Sequence, residues 1–450
     1  MSYDDKQYKK MTETPVSKLV IQLSIPTTIS MLVTSVYNLV DSIFVGKLGT
    51  SASGAIGIVF SFMAIIQAFG FTFGQGGGSI ISRKLGAKNI EDASRIASTS
   101  FFGSFATGVI IAIISIIFLD PIMYICGSSK TILPYAKTYV MFIIAAAPFM
   151  MSTLTLNNIL RYEGKASLAM IGLMSGAILN IAGDPLFMFV FNLKIAGAGL
   201  STALSQVVSF SILLFMFLSG KTQSKISIKK VTKKFSEFAD IVATGFPSFV
   251  RQGMTSVSTM ILNGGAVACG GDAAVSAMSI VNRITMFMFS ISVGIAQGFQ
   301  PVSAFNYGAK KYSRVKKAFK FTYFMCEVAL AVISFGVLIL SSQLVQVFRD
   351  DPDVIRIGTF ALRAACIGLI LQPLCLMANM SLQSTGQKKS ATFVALLRSG
   401  LYFIPVFYIL KACLGLKGVQ IAQPIADVLS FLTSIPFVIA FLKKMPEDGK

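Results

Sequence analysis

The chain has 450 residues, 54% apolar and only 13% charged, with a mean hydropathy of +0.73. An ordinary soluble domain is roughly 25% charged, so this chain has too few polar side chains to cover a water-facing surface. It has no His, which excludes Ser-His-Asp triads, His-x-x-His zinc sites and histidine-ligated haem, and its six Cys include no Cys-x-x-Cys pair.

Residues 1–17 are polar and charged and read as a tail. Twelve apolar runs follow, near 18–45, 53–79, 95–119, 132–158, 166–191, 195–219, 238–265, 273–302, 317–343, 355–382, 390–412 and 416–442. Each is close to the 20 or so residues that carry a helix across a bilayer. They are continuous rather than alternating, which favours helices over a β-barrel. Pro26, Pro148, Pro185, Pro247, Pro301, Pro373 and Pro405 fall inside or at the ends of runs. In a packed membrane bundle neighbouring groups satisfy the carbonyls that proline frees, so these positions mark bends.

The net charge of +20 reads as topology. With the N-terminus in the cytoplasm, alternate loops and both tails carry 28 Lys and Arg, and the opposite loops carry eight. This bias places both termini inside. The basic blocks 221–234 and 310–320 are then loop charges with some affinity for anionic lipid, not a nucleic-acid surface.

A shift of 222 residues aligns Gln75-Gly76 with Gln297-Gly298, Gly86-Ala87-Lys88 with Gly308-Ala309-Lys310, Leu160 with Leu382 and Gly164 with Gly386. A shift of 221 aligns Pro26 with Pro247, Gly197 with Gly418 and Ser209 with Ser430. The fold class is therefore all-α integral membrane, with twelve spans in two pseudo-symmetric six-helix bundles: 18–219, a basic linker 220–236, 237–443, and a tail 444–450. Six is even, so both halves enter from one side and the repeats are parallel.

No Walker A loop and no nucleophile–base constellation is present, so neither an ATPase nor an enzyme is expected, and the energy must come from an ion gradient or from a partner that this chain does not encode. The ionisable groups inside spans are the suspects, because a charge at mid-membrane costs about 3 kcal/mol or more. Asp41 shares a helix face with Tyr37 and Asn38, and Asp184 shares one with Asn180. Two acids converging in an apolar bundle disfavour double ionisation and hold protons as a pair. Asn180 and a hydroxyl such as Thr202 would complete an oxygen-lined cation site for H+ or Na+. Structural roles for both acids are the alternative. Glu327 has Arg283 or Arg363 as possible ion-pair partners, Asp427 is either a second coupling site or structural, and Arg251 follows Pro247 in span 7.

The ordered set of motifs carries a family resemblance. Pro26 to Gly49, ending Tyr-Asn-Leu-Val-Asp-Ser-Ile-Phe-Val-Gly-Lys-Leu-Gly, resembles span 1 of the multidrug and toxic compound extrusion (MATE) family. So do Gly74-Gln-Gly with Ser82-Arg-Lys-Leu-Gly-Ala-Lys, Arg161-Tyr-Glu-Gly, Asn180-Ile-Ala-Gly-Asp-Pro-Leu-Phe and Gln423-Pro-Ile-Ala-Asp. The resemblance implies two lobes in a V, a multi-pass plasma (inner) membrane location, and antiport of bulky organic cations, antibiotics among them, against H+ or Na+. It implies that Asp41, Asn180, Asp184 and Thr202 form the ion site, with no other cofactor. Some branches of the family carry a glutamate in span 7. Residues 253–263 contain no acid here, which places the chain nearer the prokaryotic branch that uses the N-lobe site and leaves Asp427 without an assigned role.

For the substrate cavity, Tyr37, Asn38, Asn157 and Asn158 are the polar candidates, and Met286 and Phe287 the soft apolar ones. A Met/Phe stripe in a membrane helix is more often core or lipid contact. The competing function is a flippase for a lipid-linked precursor, for which Arg251, Arg283 and Arg363 would bind pyrophosphate. The short loops give no sign of a protein partner, and a monomer is expected.

Overall fold

The structure is a computed structural model and describes residues 3–46, 48 and 50–448. Among these, all regular structure is helical. Spans 1 to 6 are Val16–Gly46, Thr50–Gly86, Ile90–Ile117, Leu133–Tyr162, Ala166–Pro185 and Lys194–Leu218. Spans 7 and 8 lie in one 74-residue element, Phe235–Gly308, that breaks at Gly271. The φ of 60° and ψ of −153° at this residue belong to a region that only glycine enters without strain. Spans 9, 10, 11 and 12 are Tyr312–Ile339, Pro352–Ser384, Lys388–Leu414 and Leu416–Lys444. The break at Gly271 makes the eleven long apolar elements into twelve spans.

The repeat extends to details that spacing alone does not reach. Short helices Leu119–Ile125 and Ser341–Phe348 follow spans 3 and 9 at equivalent places. Asn157 Nδ2 donates to the Ala169 carbonyl at 2.8 Å, and in the second half Asn379 Nδ2 donates to the Ala391 carbonyl at 2.8 Å. Each bond ties a span to the next one within its lobe. π-helical turns follow Pro185 at Leu186–Val190 in span 5 and interrupt span 11 at Leu397–Leu401, around Arg398, at places the repeat does not make equivalent. Such turns shift the register of the side chains that follow.

The two polar tethers are structured. Residues 1–17, read as a tail, contain a helix, Tyr3–Glu13, laid across both lobes. Gln7 Nε2 donates to the Glu163 carbonyl of the first lobe at 2.8 Å, and Asn306 Nδ2 of the second lobe donates to the Met11 carbonyl at 3.1 Å. The linker 220–236 is pinned to span 3, where Ser94, Ser98 and Thr99 present hydroxyl oxygens to the amides of Lys225, Ser227 and Thr232 at 3.0–3.1 Å.

The lobes meet tightly near the face that holds the termini. Gly76 of span 2 lies against Ile241 and Gly245 of span 7, and Gly298 of span 8 lies against Ser24 of span 1. Without a Cβ the backbones approach closely, and hydroxyls cross the gap: Ser24 Oγ donates to the Ile295 carbonyl at 3.0 Å and Thr27 Oγ1 to the Gly294 carbonyl at 2.6 Å. Spans 1 and 8 stay together as far as Ser35 and Ser290, whose hydroxyls are 2.9 Å apart. Next along the two helices Val36, Met286 and Phe287 are exposed.

Candidate functional site

Spans 1, 5 and 6 of the first lobe bring four residues together near the opposite face. Asp41 is 2% exposed and Asp184 fully buried. Asn180, one turn before Asp184, donates through Nδ2 to Asp184 Oδ1 at 3.2 Å, to Ser201 Oγ at 3.3 Å and to Thr202 Oγ1 at 3.3 Å. Ser201 Oγ in turn donates to the Asn180 carbonyl at 3.2 Å. The Tyr139 hydroxyl of span 4 lies 3.5 Å from Thr202 Oγ1. The Asp41 and Asp184 carboxyls are within hydrogen-bonding reach of each other, and Tyr37 lies within electrostatic reach of both.

Three atoms here are buried without a protein partner: Asp41 Oδ1, Asp184 Oδ2 and Asn180 Oδ1. All three are acceptors. Neither Asp41 nor Asp184 forms an ion pair among the described residues, and at an effective dielectric of 20 two bare charges 4 Å apart repel by about 4 kcal/mol. A pair of carboxyls arranged this way suits one shared proton. The same hard oxygens, with the Thr202 hydroxyl, also suit a small cation such as Na+. Ser201 and Tyr139 were not singled out in the sequence. Ser201 is adjacent to Thr202, but Tyr139 joins from another span and leaves no local signal.

The second lobe holds a different charged centre. Asp427, 3% exposed, accepts from Arg398 Nε at 2.7 Å and Gln423 Nε2 at 3.0 Å, and Arg398 also lies over the Phe289 ring at 5.2 Å. Arg398 lies within span 11, inside the run 390–412, and was not singled out in the sequence. Asp427 is thus neutralised, unlike the acids of the first lobe. Glu327 forms no ion pair with Arg283 or Arg363. It bonds to Tyr323, and Arg363 Nε donates to Ser341 Oγ at 2.9 Å. Arg283 is exposed on the stripe that continues through Met286, Phe287 and Ser290.

The cavity candidates divide. Met286 and Phe287 lie one turn beyond the Ser35–Ser290 contact and are exposed, whereas Tyr37 and Asn38 are half-buried, Tyr37 within electrostatic reach of Asp41 and Asp184. Asn157 is buried, and its amide is the intralobe tether already described. Asn158, 1% exposed, also turns inward, donating to the Leu154 carbonyl at 2.7 Å and accepting from Arg161. Both face the packed region near the terminal face. A run of two Asn in an apolar span reads as a cavity wall until the partner carbonyl and guanidinium are in place.

Two six-span lobes related by an internal repeat, with unneutralised acids inside one of them, are the build of a membrane transporter. The chain belongs to the MatE family, whose model matches twice, over residues 26–186 and 247–409, one match in each half. It is 29% identical over 445 residues to the multidrug export protein MepA of Staphylococcus aureus (strain MSSA476), covering 99% of this chain and 98% of that one. Among solved structures it is similar to the outward-facing conformation of a multidrug resistance MATE family transporter of the MOP superfamily, with a TM-score of 0.92, 25% identity and coverage of 99% of each chain. It is also similar to a MATE protein in the straight conformation, with a TM-score of 0.92, 26% identity, and coverage of 98% of this chain and 99% of that one.

Proposed function

We propose that this protein is a secondary active antiporter that exports lipophilic organic cations from the cytoplasm in exchange for H+ or Na+. It acts as a monomer in the plasma membrane, with both termini in the cytoplasm. The observation that carries this reading is the facing pair Asp41 and Asp184, with three orphaned acceptor oxygens and no cationic side chain to neutralise them. The chemistry of this pair demands a mobile cation. The family relationship and the name of the staphylococcal relative support drugs as the exported class.

The coupling follows from the placement of Asp41 on span 1. That helix carries Tyr37 within electrostatic reach of both acids and contacts span 8 through Ser35, so a change in it reshapes the proposed drug cleft between the lobes. An ion arriving from outside removes the repulsion between the carboxyls and lets span 1 repack toward Asp184. The cleft wall then changes shape and the drug is expelled. The ion leaves on the cytoplasmic side after the lobes rock.

The test is uptake of a fluorescent lipophilic cation into everted proteoliposomes, with a proton or a sodium gradient imposed separately. Movement under one gradient names the coupling ion. Asp41→Asn removes one charge at nearly constant volume and is expected to abolish gradient-driven movement while leaving the protein monodisperse and thermally stable. Full transport by Asp41→Asn would sink the assignment.

A further inference from the structure

The interlobe seal near the terminal face holds a second cluster of orphaned polar atoms, opposite in character to the first. Its centre is Tyr162 at the end of span 4. The side chain is fully buried against Gly78, where a Cβ would collide with the ring, and its hydroxyl has no protein partner. Arg83, Arg161 and Arg251 all act on that phenol electrostatically, and the Arg161 Cζ lies 5.7 Å from the ring centroid.

Arg161 is 2% exposed and has no acidic partner. Its Nη1 donates to Gln297 Oε1, and its Nη2 to Asn158 Oδ1 and, at 3.3 Å, to Gln300 Oε1. The Nε atoms of Arg161 and Arg251 and the Nε2 of Gln75 have no partner. Gln75 belongs to the same network, since its Oε1 accepts from Gln300 Nε2 at 3.2 Å and Ser248 Oγ at 3.0 Å. Every orphan here has a hydrogen to donate.

Nearby acids do not balance the charge. Glu163, next to Tyr162, accepts from the amides of Gln223 at 2.9 Å and Ser224 at 3.0 Å and from the Ser224 hydroxyl, with Lys165 3.6 Å away. Asp240 acts on Arg83 but is ion-paired with Lys388. Arg251, half-buried, lies within electrostatic reach of the buried Arg161 and bears the same charge. A buried guanidinium without a counter-charge is costly, and an anion accepting from several N–H and O–H groups removes that cost.

We infer that the Tyr162 hydroxyl, with the guanidinium groups of Arg161 and Arg251 and the Gln75 amide, forms a binding site for a small inorganic anion of chloride size. Tyr162 and Gln75 are 0% exposed, which shuts out an organic anion while the seal is closed. Arg161 and Tyr162 belong to the first lobe and Arg251 to the second, so the anion bridges the lobes and stabilises the state in which this seal is intact. The pseudo-symmetric site lacks the charge: the residue equivalent to Arg161 is Gln383, which bonds to Ser248 at 2.8 Å and the Thr244 carbonyl at 3.0 Å.

The experiment is thermal unfolding of the purified full chain in detergent. Sodium chloride is exchanged stepwise for sodium gluconate at constant pH and ionic strength, so that sodium occupancy at Asp41 does not change. A saturable rise in midpoint with chloride is expected, since a ligand that binds only the folded state stabilises it by mass action. Arg161→Gln, which copies the second half, is expected to fold and lose the response. Tyr162→Phe keeps the ring and should weaken the apparent chloride affinity roughly tenfold or more. Bromide soaked into crystals should give an anomalous peak within hydrogen-bonding distance of the Tyr162 hydroxyl. Equal midpoints in chloride and gluconate, a wild-type chloride response in both variants, or no bromide peak there would each overturn the proposal. None of these outcomes bears on ion coupling at Asp41.

Discussion

Gly86 and Gly308 stand at equivalent points of the two halves and pack against each other's helix. A Cβ on Gly86 would strike the Phe305 carbonyl oxygen, and a Cβ on Gly308 the Arg83 carbonyl oxygen. The obstacle is backbone in both cases, so it cannot rotate away. Gly86→Ala and Gly308→Ala should each destabilise the sealed state by about 1–3 kcal/mol, as overpacking does. Gly253→Ala is the control, since nothing lies within 4 Å of a Cβ there. Midpoints of thermal unfolding would decide the matter. Unchanged values for the first two would show that the lobes do not need this approach.

The Arg398–Asp427 pair should behave as a structural unit. Asp427→Asn strands a guanidinium in span 11 and is expected to cost about 3 kcal/mol, as loss of one partner of a buried pair does. The double change Arg398→Gln with Asp427→Asn should cost less than the sum of the single changes, because no charge is left unpaired. Additive losses would show that the two residues do not depend on each other.

Glu163 holds the linker to the first lobe through Gln223 and Ser224. Glu163→Ala removes the acceptor of two backbone amides and should free the basic stretch 221–234. Limited trypsin digestion reads this directly. Cleavage there is expected to be at least several-fold faster in the variant, with the lobes intact. Equal rates would mean that Ser94, Ser98 and Thr99 suffice to hold the linker.

In the proposed ion site, Asn180 and Thr202 supply oxygens but no charge. Asn180→Leu and Thr202→Val should therefore weaken cation affinity by about tenfold, as loss of a polar contact to a charged group does, without ending transport at a saturating gradient. The half-saturating proton or sodium concentration for drug movement is the measurement. Complete loss of transport in both variants would point to a structural role instead.

Much of this molecule was legible before any coordinates. The span number, the duplication and the suspicion that falls on Asp41 and Asp184 all come from local facts. A run of apolar residues needs a bilayer whatever its neighbours are, and an acid inside such a run is costly wherever it lies. The break at Gly271 and the apolar run after it mark spans 7 and 8 as two, even though their backbones join in one long element.

Tertiary structure decided which face meets which. Asn157 and Asn158 carry no mark that separates a cavity wall from a packed joint, and the Ala169 carbonyl and Arg161 settle it. Arg398 neutralises Asp427 from 29 residues away, Tyr139 reaches Thr202 from 63 away, and Gln297 meets Arg161 from 136 away. Sequence determined the helices and the charges that must be answered for, because hydrophobicity and desolvation act residue by residue. Only the packing of the two lobes decided which charges are answered by protein and which are not, because a hydrogen bond depends on a geometry that no single helix contains.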